Sequence, residues 1–369
     1  MSYAPMGRRV VISEYGEDPM EAVDRYLSIE DQAPPDPASL KPTDVVVAVK
    51  SCAVGWVDLI MSSGQYQHMA KPPYTPGLEC AGEVVWAGDD ATVEVGARVL
   101  PDGLRTGPRS LGAYQAYGGF ASYVVAPSEA LVPIPESLSF DHAVNLLGNY
   151  ETAYHALVLR GRLQPGETIL IHGATGSTGL AAVHLAKHLG ATVIATSRSA
   201  SKLKVVIEEG ADHGVRTSTD DGGVARFRDE VKALTDGNGV DVVYDPVGGP
   251  ISLETLRCIR FGGRYLIIGW AATPNVAKGK GGRGAPNVNT LPTNLILMKS
   301  LDVLGSPAAI AVHRDPSLRK PRLDAILGWA AEGVFEPHVG PAYALEDIRD
   351  AMKAKWQSAF VGGCVVHPG

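Results

Sequence analysis

The turn Ala174-Thr-Gly-Ser-Thr-Gly179 combines the residue types and spacing in this sequence that point most directly to chemistry. An apolar run at residues 168–171 precedes it and an amphipathic run follows, which indicates a buried strand, a tight turn and a helix. Gly176 lets a ligand approach the backbone closely, and Gly179 lets the helix pack against the strand. The N–H groups at the start of the helix would bind a pyrophosphate, whose charge the helix dipole favours.

Alanine occupies the first glycine position of the usual fingerprint, so the turn alone is also compatible with a plain strand-to-helix connection. A second apolar strand at residues 191–197 favours the binding site over that alternative. We therefore predict that a dinucleotide is bound by Ala174, Thr175, Gly176, Ser177, Thr178 and Gly179.

The end of the second strand selects the ribose of such a cofactor, because a carboxylate there holds the 2′-hydroxyl of NAD and a basic residue accepts the 2′-phosphate of NADP. The segment is Thr196-Ser-Arg-Ser-Ala-Ser-Lys202, with no carboxylate before Glu208. Ser197, Arg198 and Lys202 can donate to a phosphate, and Arg216 after the third strand would add charge. The pattern favours NADP(H), and a solvated basic turn is the alternative.

The chain has 369 residues, more than a single core usually supports, so we expect two domains. Residues up to about 140 alternate short β-rich runs with Gly and Pro turns, which indicates a small barrel-like β domain. Strands and helices then alternate, which predicts a doubly wound parallel sheet and an α/β fold class. We therefore expect a β domain and a nucleotide-binding domain to position the residues that could do chemistry.

Charge and composition exclude several classes of protein. The net charge is −7, and the Lys and Arg residues are scattered, so we expect no nucleic-acid partner. Four distant cysteines show no pairing typical of a zinc ribbon or a disulfide framework. No stretch approaches the roughly 18 apolar residues of a membrane span, so we expect a soluble, cytoplasmic protein with no membrane partner.

Residues 271–292 interrupt the alternation with Lys278-Gly-Lys-Gly-Gly-Arg-Gly284. The composition predicts a mobile loop. Lys278, Lys280 and Arg283 could meet an anionic substrate, and a solvated surface loop is the alternative.

From residue 8 to 366 the chain resembles the medium-chain dehydrogenase/reductase superfamily, in the zinc-free quinone oxidoreductase branch that includes zeta-crystallin. The glycine turn is one of several motifs that carry the resemblance, and their order along the chain makes it specific. The others are Ala53-Val-Gly-Trp-Val-Asp-Leu-Ile60, Gly64-Gln-Tyr66, Tyr74-Thr-Pro-Gly-Leu-Glu-Cys-Ala-Gly82, Gly148-Asn-Tyr-Glu-Thr-Ala-Tyr154 and Asp245-Pro-Val-Gly-Gly249.

The resemblance implies a GroES-like β-barrel catalytic domain plus a Rossmann domain. It places the first part of the catalytic domain at residues 1–140, the NADP-binding domain at 141–305 and a return to the catalytic domain at 306–369. It also implies a homodimer formed through the edge strand near residues 301–305.

Alcohol-oxidising relatives hold a catalytic zinc ion at positions that correspond to Gly55, Leu78 and either Gly148 or Asn149. None of these residues offers a thiolate, imidazole or carboxylate, so we expect no metal. Without a Lewis acid, the feasible reaction is hydride transfer from NADPH to a small electron-poor acceptor, either a quinone or an activated alkene.

The resemblance assigns roles to further residues. Tyr66 is the candidate acid, because a neutral phenol can donate a proton, and packing at a domain seam is its alternative role. Thr152 would lie near the nicotinamide, and Val247 and Gly269 would contact its ribose and amide. The expected acceptor pocket contains Gly55, Asn149, Tyr150 and Trp270.

Two departures from the branch leave the acceptor open: Gly55 replaces an Asn, and Cys364 replaces a Lys. The leading hypothesis is an NADPH-dependent, zinc-independent reductase of quinones or α,β-unsaturated carbonyl compounds. An enoyl-thioester reductase is the enzymatic alternative. A non-catalytic, structural NADPH-binding protein is the alternative of another class.

Overall fold

The computed structural model describes residues 3–66, 70–110, 112–272 and 289–369. The chain forms two compact units: unit 1 contains described residues up to 147 and from 336 onward, and unit 2 contains those from 148 to 335. The sequence places the boundaries near 140 and 305, whereas residues 306–335 belong to unit 2. Most of the loop at 271–292 lies outside the described residues, including Lys278, Lys280 and Arg283.

Unit 1 is built mainly from β-strands, numbered here along the whole chain. Strands β1 and β2 form an antiparallel pair, and seven others form a mixed sheet in the order β14-β15-β3-β4-β5-β7, with β6 also pairing with β3. Their bounds are β1 Gly7–Ile12, β2 Leu27–Gln32, β3 Asp44–Val54, β4 Glu79–Ala87, β5 Arg98–Pro101, β6 Tyr123–Pro127, β7 Leu131–Pro133, β14 Val339–Ala344 and β15 Gly363–His367. Among the described residues, no ladder joins β14 to β7 to close a barrel.

Strand β3 organises the core of unit 1, because it pairs with three neighbours and its apolar residues are almost all buried. The described residues of unit 1 also form the helices α1 Pro19–Glu21, α2 Trp56–Ser62, α3 Phe140–Val144 and α12 Ile348–Trp356. A π-helical turn, Ala22–Tyr26, follows α1. Helices α2 and α12 meet through stacked rings of Trp56 and Trp356, whose centroids are 5.0 Å apart with an interplanar angle of 9°.

Unit 2 contains six parallel strands in the order β10-β9-β8-β11-β12-β13, which confirms the predicted parallel sheet. Chain order reverses between β8 and β11, and ligands of such sheets bind at the carboxyl ends of the strands beside this reversal. The strands are β8 Thr168–Ile171, β9 Thr192–Ser197, β10 His213–Arg216, β11 Val240–Asp245, β12 Ile259–Ile267 and β13 Asp302–Gly305.

Helices cover both faces of this sheet. Ile169, Leu170 and Ile171 of β8 are all fully buried, and successive side chains of a strand point to opposite faces. The helices are α4 Leu147–Tyr154, α5 Ser177–His188, α6 Ala200–Glu208, α7 Arg228–Ala233, α8 Ser252–Cys258, α9 Thr293–Met298, α10 Ala308–Arg314 and α11 Arg319–Ala331, and a π-helical segment, His155–Arg160, extends α4. In the described parts of the chain, no helix is long and apolar enough to cross a membrane.

Candidate active site

The predicted glycine turn connects β8 to α5 at the carboxyl edge of the unit 2 sheet. Gly173 has a φ of 59°, a left-handed conformation that glycine adopts without strain, and it starts the turn. Gly176 is the N-cap of α5 with an extended backbone, and its carbonyl accepts a hydrogen bond from Leu180 N–H. The first N–H groups of a helix have no partner within it, so α5 presents donors of the kind that bind phosphate.

The two glycines of the turn differ in how closely the rest of the protein surrounds them. A β-carbon on Gly179 would lie 2.2 Å from the carbonyl oxygen of Gly173 and 2.7 Å from Cα of Ala174, so the helix can pack here only on glycine. A β-carbon on Gly176 would meet only the Gly173 oxygen, at 3.4 Å, and φ is −89°. The described chain therefore requires Gly179 for packing, whereas it leaves room beside Gly176.

The predicted ribose-selecting residues Ser197, Arg198 and Lys202 lie at the end of β9 and the start of α6. Ser197 accepts a hydrogen bond from Ser199 N–H at 3.1 Å, and Ser199 is the N-cap of α6. The Arg198 side chain is exposed, and Lys202 lies in the first turn of α6. Burial lowers the pKa of the Lys202 ammonium, and the positive charge of Arg198 lowers it further. Two cationic side chains thus follow the end of β9, where a dianionic phosphate would offset both charges.

Arg216, at the end of β10, supports this segment from the side. Its Nε donates to the carbonyl of Arg198 at 3.1 Å, and its guanidinium also pairs with Asp220. The hydroxyl of Ser218 donates to the same Arg198 carbonyl at 3.0 Å. Arg216 thus holds the backbone of the cationic segment, residues 197–202, and Asp220 offsets part of its charge.

Val247 and Gly269 follow the carboxyl ends of the neighbouring strands β11 and β12. One carboxylate oxygen of Asp245 accepts hydrogen bonds from Val247 N–H at 2.8 Å and Gly248 N–H at 2.9 Å, and the other accepts one from Tyr265. The Gly269 N–H approaches the carbonyl of Asp245 at 3.4 Å. A β-carbon on Gly173 would lie 3.2 Å from Val247, so the loop after β11 adjoins the glycine turn. Trp270 follows Gly269 and is 52% exposed.

Helix α4 carries three predicted residues, and the structure uses them differently. The Thr178 hydroxyl donates to Asn149 at 3.1 Å, which links α4 to the start of α5. The Thr152 hydroxyl donates to the Gly148 carbonyl at 2.7 Å. Tyr150 is 2% exposed, stacks on Phe335 and hydrogen-bonds His184 Nδ1 at 2.7 Å. Tyr150 therefore packs inside unit 2, and its expected place in the acceptor pocket stays a prediction.

In unit 1, the N–H groups of Gly55 and Leu78 donate to a buried carboxylate, Asp58, that the sequence analysis did not identify. Asp58 is 2% exposed and accepts hydrogen bonds from the N–H groups of Gly55 at 2.9 Å and of Gly77 and Leu78 at 3.1 Å. Burial raises the pKa of its carboxyl to about 6, although these hydrogen bonds and the charge of Arg109 act in the opposite direction. The sequence feature that could have indicated Asp58 is an acidic residue in the first turn of a helix with a glycine N-cap.

The predicted acid, Tyr66, follows α2 in the same unit and is partly buried. The structure describes its place in unit 1 and its partial burial. The proposed proton donation stays a prediction.

The residues at the corresponding zinc positions do not fit a zinc ion. Gly55 and Leu78 offer backbone N–H groups that Asp58 already binds, and neither Gly148 nor Asn149 has a thiolate, imidazole or carboxylate. Within the described ranges, no group of three or more His, Cys, Asp or Glu side chains is placed to hold a metal ion.

Two family models match the chain. A model described as the alcohol dehydrogenase GroES-like domain matches residues 41–136, and a model described as zinc-binding dehydrogenase matches residues 177–309. The first match falls in unit 1 and the second in unit 2. The predicted combination of a GroES-like domain and a Rossmann-type parallel sheet is therefore confirmed.

Whole-chain comparisons extend this match. The chain is 34% identical over 369 residues to a quinone oxidoreductase-like protein 2 homolog of Nematostella vectensis, with 98% of this chain and 90% of the relative covered. A probable oxidoreductase of Mycobacterium abscessus is similar in structure, with a TM-score of 0.79, 27% identity and coverage of 99% and 100%. A Pseudomonas syringae quinone oxidoreductase has a TM-score of 0.75, 27% identity and coverage of 98% and 100%.

These matches identify an oxidoreductase that uses a nicotinamide cofactor. The glycine turn at the reversal of the parallel sheet is the structural feature that such a cofactor requires. The chain therefore belongs to the medium-chain dehydrogenase/reductase superfamily, in its quinone oxidoreductase branch.

Proposed function

We propose that this protein is an NADPH-dependent reductase that transfers a hydride, without a zinc ion, to a quinone or to the activated double bond of an α,β-unsaturated carbonyl compound. The observation that carries the choice of NADPH is the pair of cations, Arg198 and Lys202, at the ribose-selecting end of β9. A carboxylate at this place would repel the 2′-phosphate, and residues 196–202 contain none.

The residues of unit 2 would bind and orient the cofactor. The N–H groups at the start of α5 hold the pyrophosphate, and Gly176 leaves room for it. Arg198 and Lys202 hold the 2′-phosphate, with Ser197 beside them and Arg216 supporting the backbone of Arg198. Val247, Gly269 and Thr152 orient the nicotinamide end. When bound, NADPH supplies the hydride.

The choice of acceptor follows from the groups near Gly55 in unit 1. The N–H groups of Gly55 and Leu78 are bound by Asp58, and the side chains there do not fit a zinc ion. The oxygen of an alcohol or a simple ketone would therefore have no Lewis acid to polarise it. Quinones and conjugated alkenes are electron-poor without one. Tyr66 would donate a proton to the acceptor oxygen. The Pseudomonas syringae protein is named a quinone oxidoreductase, and the Nematostella vectensis relative is named a quinone oxidoreductase-like protein.

The cofactor choice is tested with Arg198→Ala. Loss of a charge-assisted hydrogen bond to phosphate should raise KM for NADPH by about tenfold or more, while KM for NADH stays within about twofold. Arg226→Ala is the matched control, because Arg226 is an exposed arginine of unit 2 that pairs with Asp229. An Arg198→Ala enzyme with an unchanged preference would contradict the proposal.

The acceptor is tested by following NADPH oxidation with metal-stripped protein against simple quinones, alkenals, enones and an enoyl thioester. Turnover of quinones or free enones supports the proposal. Turnover of the thioester alone would indicate an enoyl-thioester reductase. Tight NADPH binding with no turnover of any acceptor would indicate a non-catalytic binding protein.

We also propose a cytoplasmic homodimer. All four cysteines are free and buried, as is typical of a reducing compartment. Strand β13 lies at the edge of the unit 2 sheet, and Leu297 and Met298 just before it are 81% and 71% exposed. A second copy pairing with this edge would cover them. Val303→Pro should then convert a dimer to a monomer in light scattering, and a monomeric wild type would refute the dimer.

A further inference from the structure

One face of the unit 2 sheet changes from apolar to polar at the carboxyl ends of its strands. Leu170, Ile194 and Val243 belong to one buried apolar cluster on β8, β9 and β11. Because side chains alternate along a strand, the residues two positions further lie on the same face. They are His172, Thr196 and Asp245, all buried. A buried polar row thus begins where the cofactor-binding loops begin.

His172 connects the members of this region. Its side chain is fully buried, with Nδ1 lying 2.8 Å from the Thr196 hydroxyl on β9 and Nε2 lying 2.9 Å from the Thr255 hydroxyl on α8. Its backbone N–H donates to the carbonyl of Tyr244 on β11 at 3.0 Å. A single residue therefore links the ends of three strands and a helix.

The bonding pattern fixes the orientation of the ring. The Thr255 hydroxyl donates to the carbonyl of Ile251 at 2.8 Å, so it accepts from His172 Nε2–H. Burial lowers the pKa of His172, which keeps the ring neutral at neutral pH, so Nδ1 accepts from the Thr196 hydroxyl at 2.8 Å in preference to the Ile171 carbonyl, which lies 3.3 Å from that hydroxyl. The rings of His172 and Phe227 pack in a T-shaped arrangement, with centroids 5.7 Å apart and an interplanar angle of 76°. Each ring nitrogen thus has one defined partner.

The segments that His172 connects are those assigned above to the cofactor. The glycine turn starts at the next residue, Ser197 and Arg198 follow Thr196, and α8 follows the loop that contains Val247. We propose that His172 is a positioning residue that holds the glycine turn and the cationic segment in one relative geometry, so that the pyrophosphate and the 2′-phosphate of one NADPH molecule are bound together. This inference rests on the proposed function.

The test compares three substitutions of His172 by titrating each protein with NADPH and with NADH and by recording its thermal denaturation. His172→Leu removes both side-chain hydrogen bonds and should raise the Kd for NADPH by about tenfold, but that for NADH by less than about threefold, because only the 2′-phosphate contact depends on β9. His172→Asn places an amide near the Nδ1 position and should retain most of the preference. His172→Gln reaches only Thr255 and should lose it.

Thr196→Val and Thr255→Val are matched isosteric variants that leave the imidazole in place. Thr196→Val should reproduce the loss of NADPH preference even if His172→Leu fails to fold, and Thr255→Val should change the preference less. Equal increases in both Kd values, or unchanged values in Thr196→Val, would overturn the positioning role alone. A wild type that binds neither dinucleotide would overturn the proposed function and this role with it.

Discussion

The start of α5 in unit 2 and the Gly55–Leu78 region of unit 1 both gather backbone N–H groups, but a side chain of the protein binds those of unit 1, whereas we propose that a cofactor phosphate binds those of unit 2. In unit 1, Asp58 binds the N–H groups of Gly55, Gly77 and Leu78, so an anion of the chain itself fills the position. In unit 2, the N-cap of α5 is Gly176, which has no side chain with which to cap the helix. We therefore interpret the clustered amide donors as a structural anchor in the first case, and we expect them to bind an anion in the second.

Asp58→Ala should have the largest effect on stability, because it removes the carboxylate that binds the three N–H groups of unit 1. The substitution leaves three N–H groups without their acceptor, two of them on buried residues, and should lower the free energy of unfolding of unit 1 by about 3 kcal/mol. Chemical denaturation measures this, with the exposed Asp89→Ala as control, for which we expect a change within about 0.5 kcal/mol. A loss for Asp58→Ala as small as that of the control would remove the distinction between the two regions.

Gly179→Ala tests how closely the start of α5 packs against the glycine turn of unit 2. Its β-carbon would lie 2.2 Å from the Gly173 oxygen, so α5 must shift, and we expect unit 2 to lose about 2 kcal/mol of stability. The thermal midpoint and the denaturant midpoint should both fall. Unchanged midpoints would show that the helix packs with more freedom than these distances allow.

Gly176→Ala should separate binding from folding. The methyl group has room in the protein and the backbone is extended, so the free energy of unfolding should change by less than about 0.5 kcal/mol. The same methyl would occupy the path of a pyrophosphate, and we expect the Kd for NADPH to rise by at least about tenfold. Undiminished affinity would place the phosphate elsewhere.

The pH dependence of unit 1 provides the smallest expected effect. The Asp58 carboxyl has a pKa of about 6 in the folded protein, raised from an ordinary 3.8, so its contribution favours folding at low pH and is lost as the pH rises through 6. Relative to Asp58→Asn, the wild type should lose about 1 kcal/mol of unfolding free energy between about pH 5 and pH 7. A difference that grows in the opposite direction would contradict the raised pKa.

The sequence predicted unit 2 better than unit 1 because the constraints on its turn are local. Residues 168–190 contain the strand, the turn and the helix in one continuous segment, and the parallel sheet follows from the alternation of strands and helices. Tyr150 is the exception. Its burial depends on His184 and Phe335, which are distant in sequence, and no pattern around residue 150 indicates those partners.

In unit 1, the residue that organises the region contacts segments about 20 positions away. Asp58 resembles an ordinary helix-start carboxylate in the sequence, and its bonds to Gly77 and Leu78 exist only after β3 and β4 have paired. His172 was missed for a related reason, because both of its side-chain partners lie on other elements. Residues that join distant segments give little local signal.

The stacked pair Trp56 and Trp356 gives unit 1 an optical signature of its own. Two indole rings 5.0 Å apart and nearly parallel couple their electronic transitions, which produces a paired band in the circular dichroism spectrum that separate tryptophans lack. The rings come from α2 and α12, at opposite ends of the sequence, so the band exists only while both parts of unit 1 are joined. Loss of this band can therefore be compared with cofactor release to determine whether the two units unfold together.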